Sequence, residues 1–373
     1  MSLILDGTSG ITNLTSINGG QLGGRRNIVI NGEMKVAQRS TSETGLGAGS
    51  AYATLDRWRT AVDAASAGRF TMAQIADGPA GFANCMKLSC TTADTSIAAG
   101  EVLQIVTRFE GQDVQQLQKG TATAKQVTVS FYVKGNASAT YTCELIDYDN
   151  GRSIQQAFAV TTAWNRIELT FAADTSDPFD DDNAGSLGLA FWLHGGSTYT
   201  GGTFSSNAWK DTVDNTRLSD SQTSIFDATS RTFFLTGVQM ELGATATEFE
   251  HRSFGEELAL CQRYYERITS VGAGANYMTF VSGFNTSTTV TQSTLAYVKK
   301  RTTPTIAFAA AAQFRITHTN TATACSAISA SQIGDARAIV DATVGSAALT
   351  AGQGSAVTAN NNTTAYIEVI SEL

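Results

Sequence analysis

Three stretches of the chain alternate apolar and polar positions with a period of two. In VTVSFYV (127–133), Val127, Val129, Phe131 and Val133 share one face, and Thr128, Ser130 and Tyr132 the other. In WNRIELTF (164–171), Ile167, Leu169 and Phe171 stand opposite Arg166, Glu168 and Thr170. In LGLAFWLH (187–194), Leu187, Leu189, Phe191 and Leu193 stand opposite Gly188, Ala190, Trp192 and His194. Such alternation predicts half-buried antiparallel strands. Asn150-Gly151 and Gly195-Gly196 supply turns between them. The simplest architecture is all-β, with a jelly-roll β-sandwich over 27–250.

One stretch has a helical period. Ser253 and Glu256 are spaced as a capping box, which predicts one short junction helix within 251–269. Leu258, Cys261, Tyr265 and Ile268 follow at 3-4-3 spacing. That narrow stripe suits either a seam between identical chains or packing on the sandwich. Residues 270–373 return to short strands with almost no charge, as expected of a smaller C-terminal β domain. Weakly patterned strands there are expected to leave edges that association about a symmetry axis would cover. Residues 1–26 hold Ile11, Leu14 and Ile17 at every third position. This is too little apolar surface to fold alone, and leaves a docking or trimerisation segment or a frayed terminus as the options.

Composition narrows the classes. Charged residues make up 16% of the 373 positions and hydrophobic ones 42%, with 34 Gly and 3 Pro. Disorder needs the opposite balance, and collagen far more Gly and Pro. The Thr- and Ser-rich remainder disfavours a helical bundle. A net charge of −8 argues against a nucleic-acid partner. No apolar run is long enough to insert in a membrane as a helix, and the first residues lack the basic start of a secretory signal. The five scattered Cys read as reduced core thiols.

Several blocks carry a family resemblance: NIVINGEMKVAQRS (27–40), TLDRWR (54–59), VSFYVKG (129–135), TTAWNRIELTFAADTS (161–176) and FFLTGVQMELGATATEFEHRSFGEELALCQRYYE (233–266). Together they resemble bacteriophage tail-fibre or receptor-binding proteins with a carbohydrate-binding-module-like jelly roll. Ala37, Ser40 and Glu248 depart from the family pattern, where Trp, Gly and Pro are usual. The resemblance implies a homotrimer, a place in the virion tail, and assembly in the host cytoplasm. It implies attachment to another tail or fibre protein through 1–26 and to a host-surface glycan. It also implies an option of structural Ca²⁺ held by Glu33 with Gln239 or Glu241.

The chemistry agrees with binding rather than catalysis. The chain has no G-x-S-x-G, H-E-x-x-H or Walker A motif, and its three His are far apart. Catalytic residues are therefore expected to be none. Sugar rings stack on aromatic faces, which selects Tyr132, Trp192, Tyr199 and Trp209, with His194 beside them. Asp180, Asp182 and Asn183 of the acidic loop offer hydroxyl recognition or a weak Ca²⁺ loop, against the plainer reading of a solvated loop. The resulting expectation is a non-enzymatic fibre protein. The alternatives are a capsular depolymerase, which needs a carboxylate pair, and a baseplate or capsid component that binds no sugar.

Overall fold

A computed structural model describes residues 25–270, 275–319 and 321–373. Most of the 1–26 segment, and with it the docking expectation, lies outside the described residues. The chain divides into two compact units, one reaching Phe254 and including Leu373, the other Gly255–Glu372.

The first unit is the expected sandwich. Its strands are β1 (Ser42–Leu46), β2 (Arg59–Asp63), β3 (Arg69–Ile75), β4 (Cys85–Thr92), β5 (Val102–Glu110) and β6 (Val127–Gly135), followed by β7 (Ala139–Asp147), β8 (Arg152–Val160), β9 (Asn165–Phe171), β10 (Gly185–Gly195), β11 (Lys210–Asp211) and β12 (Thr232–Leu242). Two six-stranded sheets form, ordered β1-β3-β4-β12-β6-β9 and β11-β8-β7-β10-β5-β2. The chain passes repeatedly from one sheet to the other, giving a jelly roll. The alternating residues do what their period dictates. Val127, Val129, Phe131 and Val133 meet Leu187, Leu189, Phe191 and Leu193 in one core. Trp58 is buried there too, its Nε1–H donating to the Asn31 carbonyl at 3.1 Å.

The resemblance blocks 27–40 and 233–266 meet in space. Asn27 Nδ2 donates to the Val238 carbonyl at 3.2 Å, and Asn27 Oδ1 accepts from the Met240 amide at 3.1 Å. The Glu250 carboxylate accepts from the Asn27 amide at 2.8 Å, and Arg252 Nη1 donates to the Val29 carbonyl at 3.0 Å. A register shift in β12 between Thr236 and Gln239 makes room for this closure. Gly237 turns the bulge at φ +61°, where a Cβ would strike Phe82 and Tyr132.

The second unit opens with a helix, Phe254–Gln262, starting one residue after Ser253 as its capping spacing predicts. The helix stops early, so Leu258, Cys261, Tyr265 and Ile268 do not form one helical stripe. Tyr265–Thr269 is a strand, β13. Tyr265 and Ile268, three apart, therefore point to opposite faces instead of sharing a helical stripe. Tyr265 is buried, with its hydroxyl donating to Glu368 Oε1 at 2.7 Å, Cys261 is buried, and Ile268 packs on the unit's own core. Leu258 is half-buried. The remaining strands are β14 (Thr279–Asn285), β15 (Val290–Ala296), β16 (Thr305–Phe308), β17 (Phe314–His318), β18 (Thr321–Ser331), β19 (Arg337–Val344), β20 (Gly354–Ala359) and β21 (Tyr366–Ile370). A small sheet β13-β21-β16 accompanies a closed barrel β14-β15-β19-β18-β17-β20. Closure pairs every barrel strand on both sides, so the exposed edges expected from the sequence do not arise there. All five Cys are free and buried. Burial pushes Cys85 up to about 11 and Cys325 to about 12, as inert core thiols require. Among the described residues no helix is long and apolar enough to cross a membrane.

Candidate functional site

The outer face of the sheet β11-β8-β7-β10-β5-β2 holds the candidate site. Its residues are the polar-side positions of the same alternation that builds the core. Register sets them in rows: Gln104, Trp192 and Thr142; then Val106, Ala190 and Glu144; then Arg108, Gly188 and Ile146. Val106, Ile146 and Ala190, with Ala61 of β2, make an apolar floor. Over part of this floor opens a groove of about 290 Å³, bordered by Arg59, Asp63, Gln104, Arg108, Tyr148, Tyr199, Thr212 and Arg217.

One end of the groove is walled by a buried ion pair. The Glu144 carboxylate, fully buried on the sheet, accepts from Arg217 Nε and Nη2, both at 2.8 Å. It also accepts from Trp192 Nε1 at 2.6 Å and Gln155 Nε2 at 3.1 Å. Every lone pair thus has a donor, the condition under which a buried carboxylate is tolerated. Burial pushes Arg217 down, but the charge and hydrogen bonds of Glu144 outweigh it, and the guanidinium is held above its ordinary value. That guanidinium also lies 4.7 Å from the Trp192 ring centre.

The open part centres on Tyr148, 37% exposed. Its ring lies against Gly188, where a Cβ would come within 2.8 Å of it. Glycine at 188 is what lets an aromatic side chain lie down on this sheet. The Arg108 guanidinium stacks 4.4 Å from the same ring. The result is an aromatic face, an apolar floor, and amide, hydroxyl and guanidinium groups around the rim. This is the combination that binds an amphipathic ring with polar edges.

The structure redistributes the residues selected from sequence. Trp192, Tyr199 and His194 are on or beside this face as expected, but buried. Residues 196–226 fold back over that end of the sheet. Tyr199 and Leu218 pack on Trp192, with ring centres of Tyr199 and Trp192 5.2 Å apart, so Trp192 offers no free stacking face. His194 is a structural residue: its ring nitrogens meet Ser224 Oγ at 2.7 Å and Glu101 Oε2 at 3.0 Å. Tyr132 lies on the other sheet and packs 5.2 Å from Phe82, next to Phe249 and His251. Trp209 packs against the main core and donates to the Ala172 carbonyl at 2.8 Å.

The acidic loop is built around a lysine. The buried Lys119 ammonium meets Asp147 Oδ2 at 2.6 Å and Asp174 Oδ2 at 3.3 Å, and donates to the carbonyls of Ser176 and Asp177 at 2.8 and 2.6 Å. A protein cation thus sits among the oxygens that organise the loop. Asp180, Asp182 and Asn183 are exposed beyond it. The carbonyls of Asp180 and Asp182 receive Gln115 Nε2 at 3.0 Å and the Gln112 amide at 2.9 Å. The implied Ca²⁺ ligands serve the closure. Glu33 pairs with Lys35 at 2.5 Å and His251 Nδ1 at 2.8 Å. Gln239 Nε2 donates to Glu241 Oε1 at 2.7 Å, and Glu241 receives the amide and hydroxyl of Thr247 at 2.8 and 2.7 Å. Among the described residues no group of three or more His, Cys, Asp and Glu is arranged to hold a metal ion.

Tyr148, Arg108 and Arg59 were missed in sequence. The signal was present in Gly188, a glycine in the interior of a strand, which marks a close approach. Its partner could not be read, because Tyr148 reaches it from the end of another strand.

No family model and no curated protein matches the chain. Among solved structures it is similar to one described as "CBM4 structure and function", at 12% identity over 57% of this chain and 97% of that one, with TM-score 0.30. It is also similar to the family 11 carbohydrate-binding module of cellulosomal cellulase Lic26A-Cel5E of Clostridium thermocellum, at 13% identity over 56% and 98%, with TM-score 0.27. A third is the CBM22-1 xylan-binding domain from Paenibacillus barcinonensis Xyn10C, at 12% identity over 56% and 99%, with TM-score 0.26.

Proposed function

We propose that the protein is a non-enzymatic fibre component of a phage virion, and that its sandwich binds a host-surface glycan in the groove beside Tyr148. The observation that carries the binding reading is Tyr148 itself. An aromatic ring, seated on the sheet by Gly188 and 37% exposed, lies by an apolar floor within a polar rim. The fibre reading is supported by the resemblance blocks, whose two ends meet in the Asn27–Glu250–Arg252 closure. In this reading single sites are weak, and several copies on one particle multiply them into avidity.

Three measurements test it. Purified protein should bind one or more glycans on an array, and Tyr148→Ala should lose that binding while keeping its melting temperature. Retained binding in the variant would remove the groove from the reading. Incubation with host polysaccharide should release no shortened fragments, since sustained release would make the protein a depolymerase. The homotrimer of the same reading is checked by light scattering, expected to give about three times the 39.3 kDa chain mass.

A further inference from the structure

The chain as a whole is acidic, with a net charge of −8, yet the groove is not. Three arginines border it, Arg59, Arg108 and Arg217, against one acid, Asp63. Arg217 is neutralised by Glu144. Arg59 and Arg108 form no ion pair among the described residues, whereas Arg152, Arg166, Arg217 and Arg231 of the same unit each do. Both are half-buried, and Arg108 Nε is shielded from water with no acceptor. Register fixes why they converge. Arg59 pairs with Val106 and Arg108 follows two residues on, so both project from one face of adjacent strands. Two unpaired guanidinium groups beside an aromatic face are a fork for an anionic group on a ring that the face holds.

We propose that the groove takes an anionic saccharide, one whose carboxylate or sulfate is received by Arg59 and Arg108 while its ring rests on Tyr148. This rests on the glycan-binding reading above and specifies its ligand class. A polyphosphate chain is disfavoured by the acidic protein around so small a groove.

The test is a panel of oligosaccharides bearing uronic acid, sialic acid or sulfate. Each is paired with its carboxyl-reduced or desulfated form and titrated calorimetrically into the full-length protein. The best acidic member should bind roughly tenfold or more tighter than its neutral partner, the scale of one charge-assisted contact. Added salt should erode that margin. The double variant Arg59→Gln, Arg108→Gln should abolish the margin between acidic and neutral partners, with its melt showing that it folds, and a margin that survives in the folded variant would overturn the assignment to these two arginines. Which members bind separates carboxylate from sulfate. Neutral forms binding as tightly as acidic ones would overturn the anionic assignment and leave glycan binding standing. No binding by any member would remove both. Equal binding of a short single-stranded oligonucleotide would overturn the assignment to a saccharide.

Discussion

Tyr148 and Trp192 share a sheet face and have opposite fates, and the difference lies in what covers them. Trp192 is sealed by Tyr199, Leu218 and Arg217, while Tyr148 keeps 37% of its surface. Gly188→Ala should push the Tyr148 ring off the sheet and weaken glycan binding with little loss of fold, read as a higher Kd at a near-constant melting temperature. Arg217→Met would strip the guanidinium from fully buried Glu144 and should cost about 3–5 kcal/mol, measured by denaturant unfolding. His194 supplies a pH dependence. Burial pushes its pKa below the ordinary 6.5, against the opposing pull of Glu101 and Asp94. The unfolded chain then binds the proton more readily, so stability is complete above about pH 6.5 and falls as pH drops towards the folded value. A melting temperature that declines below pH 6.5, and declines less in His194→Gln, is the expected result.

Strands were readable from alternation because each buries one face in a common core, and the period carries that directly. The helix was readable only at its start. Ser253 and Glu256 mark the N-terminus through local capping, but its end at Gln262 depends on β21 offering a partner to Tyr265–Thr269. The 3-4-3 spacing of Leu258, Cys261, Tyr265 and Ile268 therefore runs across two kinds of element. The acidic loop shows the same limit, since its charges suggested a metal or a sugar and its organiser is Lys119, some sixty residues earlier. Lys119→Met should leave Asp147 and Asp174 buried without that partner and loosen 174–182. Faster amide exchange confined to this loop, with a lower melting temperature, would show it.

Each unit has its own core, one spanning both sheets of the sandwich and one shared by the barrel and the three-stranded sheet. Residues 25–254 expressed alone should keep the sandwich and its glycan binding. A soluble fragment with near-native far-ultraviolet dichroism and an unchanged Kd is expected, and loss of both would place part of the site's support outside the sandwich.

The all-β class, the sandwich core and the separate C-terminal β unit were legible from period, turn residues and composition, because backbone geometry ties those patterns to burial within a few residues. The exposure of each outward residue was not. It depended on where 196–226 folded back, on which strand brought Arg59 beside Arg108, and on which glycine received Tyr148. Those are relations between positions far apart in the chain. Only tertiary contact decides which polar face is covered and which stays open to bind.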